Sequence, residues 1–302
     1  MKKHGTSLIL LAAFLAGLVM LLYPTFAEYW NSFYQSQAIA GYAESVAQLD
    51  EDVYERFWQA ALDYNERLAG RGIDWGGQPA AYRSALDVDG SGIMGYVDIP
   101  KINVSLPVYH GTDDSVLQTS TGHLEETSLP CGSRYPDKAL TKPLFGSHCV
   151  ISGHRGLPRA LLFTQLDELV EGDVFILTVL DQTLTYEVDQ IRIVDPYDLS
   201  ELQIEPGKDL CTLVTCTPYG VNTHRMLVRG HRIENEKKTD IRIIADGLKV
   251  QPMFVAPFIA LPILLLLVLW MLVMTSGRRR RRKEGARRAL RQDLRGSYRD
   301  NR

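Results

Sequence analysis

The chain has 302 residues, of which 33 are basic, 36 are acidic and 45% are apolar. Twelve of the basic and three of the acidic residues lie in Arg278–Arg302, and Lys2 and Lys3 stand at the start, which leaves 19 basic and 33 acidic residues between these ends. The part of the chain between these ends is strongly acidic and would repel the phosphate backbone of nucleic acid. Nucleic acid is therefore not expected as its partner. The basic tail directly follows an apolar segment, so we place it at a membrane surface.

Two uncharged apolar segments flank the acidic part. Ser7–Tyr23 is either a secretory signal or an uncleaved anchor, and the weak cleavage site after it favours an anchor. Gln251–Gly277 contains the roughly 20 apolar residues that a spanning helix needs. Basic flanks stay in the cytoplasm, so we predict that both termini lie there, while the acidic middle lies outside the cell membrane.

The part after the first apolar segment is predicted to be helical. Gln37–Leu68 carries apolar residues at helical spacing, with a cap or break near residue 50. Arg71–Ser84 is then a glycine-containing connection in which Asp74 stands beside Trp75. An acid and an aromatic residue in a loop suit a lid over a cleft, and a plain connector is the alternative.

A short acidic turn follows. Asp87–Gly92, with Asp98 at the twelfth position, resembles a calcium-binding loop. However, Ile93–Ile99 alternates like a strand and no helix follows. We therefore interpret the turn as a solvated hairpin connection, with calcium as the alternative.

From Ile93 onward the pattern predicts strands, with one short helix over Ala160–Glu171. The predicted strands are Gly95–Ile99, Val104–Val108, Val150–Gly153, Val174–Leu180, Leu184–Ile193, Leu210–Cys216 and His224–Ile233. Many short strands at modest spacing indicate a mainly β protein, with a closed barrel and helical additions.

Two strand ends carry residues suited to catalysis. Cys216 ends one predicted strand and Arg225 begins the next, so that the thiol and the cation can approach each other. This suits nucleophilic catalysis, because the thiolate attacks and positive charge favours it. His154 ends another strand in a glycine-rich turn that exposes it. The alternative is a buried structural cysteine, a surface arginine and one structural histidine among seven.

Together these motifs resemble the sortases, the membrane-anchored cysteine transpeptidases of the Gram-positive envelope. The resemblance rests on Thr212-Leu213-Val214-Thr215-Cys216, on Arg225 and on Gly153-His154-Arg155-Gly156. Further stretches are similar to the class C, or pilin-polymerising, branch, as is the C-terminal apolar segment. These stretches are Met94-Gly95-Tyr96, Ile99-Pro100-Lys101-Ile102, Tyr109-His110-Gly111-Thr112, Gly122-His123-Leu124-Glu125, Thr127-Ser128-Leu129-Pro130 and Thr217–Arg225.

The resemblance implies an eight-stranded sortase-type barrel that needs neither a metal nor an organic cofactor. It implies Cys216 as the nucleophile, His154 as the acid and base, and Arg225 as the substrate or oxyanion stabiliser. The implied substrate is a pilin or surface protein with a Leu-Pro-x-Thr-Gly sorting signal. A lysine amine of the next pilin would receive the acyl group. A housekeeping sortase that anchors proteins to the cell wall and a non-catalytic interaction domain are the alternatives.

Two features depart from the class C pattern. A class C lid commonly has an aspartate, a proline and an aromatic residue, whereas here Asp74 is followed directly by Trp75. The segment from Cys131 to Cys149 is also longer than expected. Both of its ends are cysteines in a predicted oxidising compartment, so a disulfide between them is a hypothesis that spacing alone cannot fix.

The sequence thus divides into six predicted regions. They are the N-terminal signal or anchor (1–36), a helical region (37–92) with the candidate lid (71–84), the catalytic barrel (93–235), a juxtamembrane linker (236–250), a C-terminal transmembrane helix (251–277) and a basic cytoplasmic tail (278–302).

Overall fold

The computed structural model describes residues 2–73, 82–136, 140 and 142–235, with side chains from residue 13 onward. The helices are α1 (Lys2–Ala47), α2 (Glu51–Arg71) and the short α3 (Asp114–Leu117). The strands are β1 (Ile93–Ile99), β2 (Val104–His110), β3 (Thr121–His123), β4 (Ser147–Gly153), β5 (Val174–Val179), β6 (Gln182–Val194), β7 (Asp209–Thr217) and β8 (His224–Ile233).

The eight strands close into a barrel in the order β1-β2-β3-β4-β7-β8-β6-β5, which confirms the predicted barrel. β2 is parallel to β3 and β4 is parallel to β7, while the other neighbours are antiparallel. Apolar side chains fill the interior, where the rings of Phe175 and Tyr186 stack with centroids 5.5 Å apart. Closure removes the exposed edges that an open sheet would present to other chains.

β7 is covered on both of its faces. Cys211 and Leu213 belong to the main core, whereas Val214 packs outside it in a small cluster with Val150 and Leu227. Successive strand residues alternate between faces, so one set points into the barrel and the other toward this outer cluster. Cys216 lies on the same face as Val214 and is half-buried.

The two long helices meet at a short break. α2 begins after Asp50, which has an extended backbone, and Glu51 and Asp52 place negative charge in its first turn. It ends at Gly72, whose φ of +83° suits glycine and whose N–H donates to the Leu68 carbonyl at 2.8 Å. The predicted break near residue 50 is therefore confirmed.

Several sequence-based boundaries were wrong. α1 runs unbroken from Lys2 to Ala47, through Pro24, and joins the apolar segment to the first part of the predicted Gln37–Leu68 helix. The predicted helix Ala160–Glu171 is reduced to one 310 turn, Leu166–Glu168. β3 was missed because three residues are too few to display alternation.

One apolar helix is long enough to cross a membrane within the part of the chain that the structure describes. The helical stretch Ala13–Ala47 is long and apolar enough to span a membrane. A signal sequence near the N-terminus would meet the same length and composition criteria. The second predicted span, Gln251–Gly277, lies outside the described residues, as do the juxtamembrane linker and the basic tail.

The acidic turn before β1 uses its carboxylates locally. Asp87 accepts a hydrogen bond from the Gly92 N–H at 3.0 Å, and Asp89 accepts one from the Ser91 N–H at 2.9 Å. Asp98 lies on β1, and burial raises its pKa. The turn thus leads into a strand, as the sequence predicted.

Candidate active site

The structure brings the three predicted site residues to one end of three neighbouring strands. Cys216 on β7 pairs directly with Arg225 on β8. Across the other edge of β7, Ser152 of β4 pairs with Val214. β4 ends at Gly153, so His154 follows that strand directly, at the same end of the parallel pair as Cys216.

Cys216 and Arg225 also share one face of the sheet. Leu227 on β8 and Val214 on β7 belong to the outer cluster, and Arg225 and Cys216 lie two residues away on the same strands. His154 follows β4 with the same parity as Val150, a third member of that cluster. The thiol of Cys216 and the side chain of Arg225 thus lie on the same face as the outer cluster, and His154 stands at the end of the neighbouring strand β4.

The turn that carries His154 is fixed from both sides. Thr215 donates its hydroxyl to the Gly153 carbonyl at 2.8 Å, which ties the turn to β7. The Phe163 N–H donates to the His154 carbonyl at 3.1 Å. The Phe163 ring also covers Gly153 so closely that a Cβ there would lie 2.7 Å from a ring carbon. A Cβ at this position would therefore force the ring or the turn to shift.

The guanidinium of Arg225 is held by the turn between β7 and β8. Its Nη1 donates to the carbonyls of Asn222 at 3.3 Å and His224 at 3.1 Å. Asn222 has a φ of +60°, a left-handed conformation that asparagine tolerates better than most residues. The turn thus supplies two acceptors that hold the cation at the start of β8.

A second arginine, Arg155, reaches the same region, and sequence reasoning assigned it no role. Its side chain is only 10% exposed and forms an ion pair with Asp167. Nη1 donates to the Thr217 hydroxyl at 3.4 Å, and the guanidinium carbon lies 6.0 Å from the centre of the Tyr219 ring. Arg155 thereby connects the His154 turn to the segment that follows Cys216. Its place directly after His154 was the one signal in the sequence.

Cys216 differs from the other three cysteines. Cys131, Cys149 and Cys211 are buried, and burial raises the pKa of the Cys131 and Cys149 thiols well above the ordinary value. A thiol with a raised pKa supplies little thiolate, so these two are poor nucleophiles. Cys216 is the cysteine with a side chain that solvent reaches.

The candidate disulfide is not formed in this structure. Cys131 and Cys149 are both free thiols in the same buried cluster. The residue directly opposite Cys149, on the neighbouring strand β7, is Cys211. Cys149 thus faces a third cysteine, Cys211, across the strand pair.

Other histidines with short contacts have structural surroundings. His148 is buried between the Gln203 carbonyl, 2.8 Å from Nδ1, and the Thr212 hydroxyl, 2.7 Å from Nε2. Burial lowers its pKa to about 4, so it is neutral at pH 7. A neutral ring beside a carbonyl donates from Nδ1, and Nε2 then accepts from the hydroxyl. His123 is likewise buried, 2.9 Å from the Tyr82 hydroxyl.

The candidate lid residues Asp74 and Trp75 lie outside the described residues. Within the residues that are described, no three histidine, cysteine, aspartate or glutamate side chains cluster as a metal site requires.

The fold and this residue set define a class of protein, a β-barrel with a thiol, an imidazole and a guanidinium together, as in cysteine acyl-transfer enzymes. A family model described as a sortase domain matches residues 97–233. The solved structure of sortase C1 from Streptococcus agalactiae is 48% identical, with a TM-score of 0.61, and the match covers 66% of this chain and 100% of that chain. The chain belongs to the sortase family of cysteine transpeptidases.

Two further relatives are similar to this chain. The structure of sortase C from Streptococcus pneumoniae is 41% identical, with a TM-score of 0.57, and the match covers 66% of this chain and 97% of that chain. Sortase D of Bacillus subtilis is 32% identical over 142 residues, or 46% of this chain. The chain spans 63% of that relative's length. The two solved structures are both sortases of the C type.

Proposed function

We propose that this protein is a membrane-anchored class C sortase that joins pilin subunits into a polymer. The observation that carries the proposal is the direct pairing of Cys216 on β7 with Arg225 on β8. His154, which directly follows the neighbouring strand β4 at the same end of the barrel, supports it. The 48% identity to a sortase C1 over that protein's whole solved chain supports the class C branch.

In the proposed first step, Cys216 is the nucleophile. Its thiolate attacks the threonine carbonyl carbon of a Leu-Pro-x-Thr-Gly signal and forms a tetrahedral adduct. The bond from that carbon to the glycine nitrogen then breaks, and His154 gives the leaving amine its proton. The pilin remains joined to Cys216 as a thioester, and the glycine-containing fragment leaves.

In the second step, a lysine amine of another pilin attacks the thioester carbon. His154 takes the proton from the attacking nitrogen, and the carbon–sulfur bond breaks. The products are an isopeptide bond between two pilins and the free Cys216 thiolate. His154 suits both steps because an imidazole can donate a proton in one step and accept it in the other.

Arg225 stabilises the charge that develops on the carbonyl oxygen in both steps. A guanidinium keeps its proton and carries several donors, so it suits a developing oxyanion. Its bonds to the Asn222 and His224 carbonyls hold it in place before the substrate arrives, which limits reorganisation during the reaction.

The proposed topology places the catalytic barrel outside the cell membrane and both termini in the cytoplasm. The apolar helix at Ala13–Ala47 and the two basic ends of the chain support it. The role of Asp74 and Trp75 as a lid over the site stays a prediction.

Polymerisation is tested by mixing the purified protein with candidate pilins that carry Leu-Pro-x-Thr-Gly-like ends. We expect a ladder of covalent products of increasing mass, and none with Cys216→Ala. A ladder with Cys216→Ala would refute the cysteine mechanism.

The same assay distinguishes a pilin-polymerising sortase from a housekeeping sortase that anchors proteins to the cell wall. The curated relative named above is called sortase D rather than sortase C. Transfer of the signal to a small amine, without any ladder from a range of pilins, would favour the housekeeping alternative.

A further inference from the structure

The outer face of α1 carries six aromatic side chains within twelve residues. These are Tyr23, Phe26, Tyr29, Trp30, Phe33 and Tyr34, and their exposed fractions range from 48% to 68%. Aromatic residues make up only 9% of the whole chain, so this segment, residues 23–34, is strongly enriched. Six large rings exposed together need a partner, because water is a poor environment for so much contiguous apolar surface.

The opposite face of the same helix is already used. Glu28 accepts a hydrogen bond from the Leu161 N–H at 2.7 Å, Asn31 donates to the Arg159 carbonyl at 3.3 Å, and Gln35 donates to the Thr119 carbonyl at 2.6 Å.

At about 100° per residue, these three polar residues fall within one narrow sector of the helix, and most of the six rings point away from it. The helix therefore turns a polar face toward the barrel and an aromatic face outward. This is the reverse of an ordinary surface helix, which packs its apolar face inward.

We infer that the aromatic face of residues 23–34 lies in the lipid interface, so that this segment is held between the barrel and the membrane surface. The inference rests on the membrane anchoring proposed above. α1 is unbroken, and the exposed apolar residues Val19, Met20 and Leu21 directly precede the rings. The aromatic face thus continues the surface of the candidate span.

The chemistry of the rings fits the headgroup boundary better than a protein core. Four of the six are tyrosine or tryptophan, whose rings carry an apolar body and a polar group and are enriched at membrane interfaces. No lysine or arginine occurs between Lys3 and Arg56. Attraction to anionic lipid therefore contributes little here, and ring insertion supplies the contact.

The length of the segment sets its orientation. Twelve helical residues span about 17 Å, whereas the interfacial layer of one leaflet is only about 5–8 Å thick. A helix perpendicular to the membrane would lift the last rings into water, so the segment must run obliquely along the surface.

This placement has a consequence for the active site. Glu28 and Asn31 bind the loop at Arg159 and Leu161, and the chain reaches Phe163, which holds the His154 carbonyl, two residues later. The loop after His154 therefore lies one helix diameter, about 10 Å, above the membrane surface. A sorting signal presented at that surface would reach the site without the enzyme leaving the lipid.

The test uses the full-length protein in phosphatidylcholine vesicles brominated either near the headgroup end or near the methyl end of the acyl chains. Bromine quenches tryptophan fluorescence at short range. The fluorescence of Trp30 is obtained by subtracting the signal of the Trp30→Phe variant from that of the unmodified protein. The matched control is Trp58→Phe, which reports a ring of α2 that packs against the barrel core.

We expect bromine near the headgroup to reduce the Trp30 signal about twofold, as for a ring at the interface, and bromine near the methyl end to reduce it less. The Trp58 signal should not change with either lipid. Quenching that is equal or stronger from the methyl end would place Trp30 inside the span and overturn the inference. No quenching from either lipid would also overturn it, because another protein surface would then cover the face.

Cleavage of a sorting peptide is measured with the protein in the same vesicles. This second readout distinguishes a failure of the membrane contact from a failure of the proposed function. Activity without interfacial quenching would refute the membrane contact alone. Interfacial quenching without activity on any sorting peptide would support the contact and count against the transpeptidase.

Discussion

Cys216 and Arg225 are directly paired residues on the antiparallel strands β7 and β8. Directly paired side chains lie on the same face with their Cβ atoms about 5 Å apart. A long guanidinium can therefore reach a carbonyl oxygen on an acyl group attached to the thiol. The turn that joins the strands also supplies the carbonyls that hold the guanidinium.

Arg225→Ala should lower the rate of peptide cleavage by about two orders of magnitude, the usual cost of one oxyanion donor. Arg225→Lys should recover only part of this loss, because an ammonium lacks the planar set of donors. Steady-state cleavage of a sorting peptide measures both. Arg192→Ala, which removes an exposed arginine of β6, is the matched control and should leave the rate unchanged. Full activity in Arg225→Ala would remove Arg225 from the mechanism.

Gly153→Ala should displace the His154 turn. The added Cβ would meet three atoms of the Phe163 ring between 2.7 and 3.1 Å, and Phe163 is fully buried. Such overpacking costs about 1–3 kcal/mol, so we expect a lower melting temperature and slower cleavage. The control is Gly70→Ala in α2, where a Cβ meets nothing within 4 Å. There alanine should stabilise the helix by about 0.5–1 kcal/mol. The same response at both positions would contradict the packing around His154.

Arg155→Met should loosen the segment after Cys216. It removes the ion pair with Asp167 and the bond to the Thr217 hydroxyl, a loss of about 1–3 kcal/mol for a bond to a charged group. Cleavage should slow, while alkylation of Cys216 should persist because the thiol itself is untouched. Arg159→Met, at an exposed arginine bonded to Gln118, should change stability by less than about 0.5 kcal/mol. Unaltered cleavage in Arg155→Met would show that Arg155 does not position the site.

His148 should make the protein sensitive to mild acid. Its folded pKa is about 4, below the value of about 6.5 in an unfolded chain. Between these values the unfolded chain binds the extra proton, so the free energy of unfolding falls as the pH decreases from about 6.5 to about 4. The complete shift corresponds to about 3 kcal/mol.

The matched variant is His148→Gln, compared with the unmodified protein by chemical denaturation across that pH range. Burial raises the pKa of Asp209, which acts in the opposite direction, but that residue is common to both proteins. The difference in stability between the two proteins should therefore shrink toward low pH. A constant difference would contradict the neutral, buried state of His148.

The sequence was informative where a short motif carries both a residue and its local geometry. Cys216 and Arg225 flank a turn of proline, glycine and asparagine, and His154 stands between glycine and arginine at another strand end. Strand-end position and residue chemistry single out these three residues as candidates. The structure pairs Cys216 with Arg225 on β7 and β8 and sets His154 directly after β4.

Other features depend on packing between distant parts of the chain. Arg155 contacts Tyr219, 64 positions later, and only the barrel's parallel β4–β7 pairing brings the two segments together. The docking of Glu28 on the Leu161 N–H is equally non-local. Neither contact leaves a periodic pattern in the sequence, and β3 was missed because parallel pairing with β2 defines it more than its own three residues do.

The most direct test of the account is the intact mass of the protein during reaction with a Leu-Pro-x-Thr-Gly peptide. We expect an adduct equal to the peptide without its glycine-containing fragment, attached to Cys216 and released by hydroxylamine as a thioester would be. Cys216→Ala should form no adduct, while Cys211→Ala, which removes a buried thiol, should still form it. An adduct on another residue, or peptide cleavage by Cys216→Ala, would contradict Cys216 as the nucleophile.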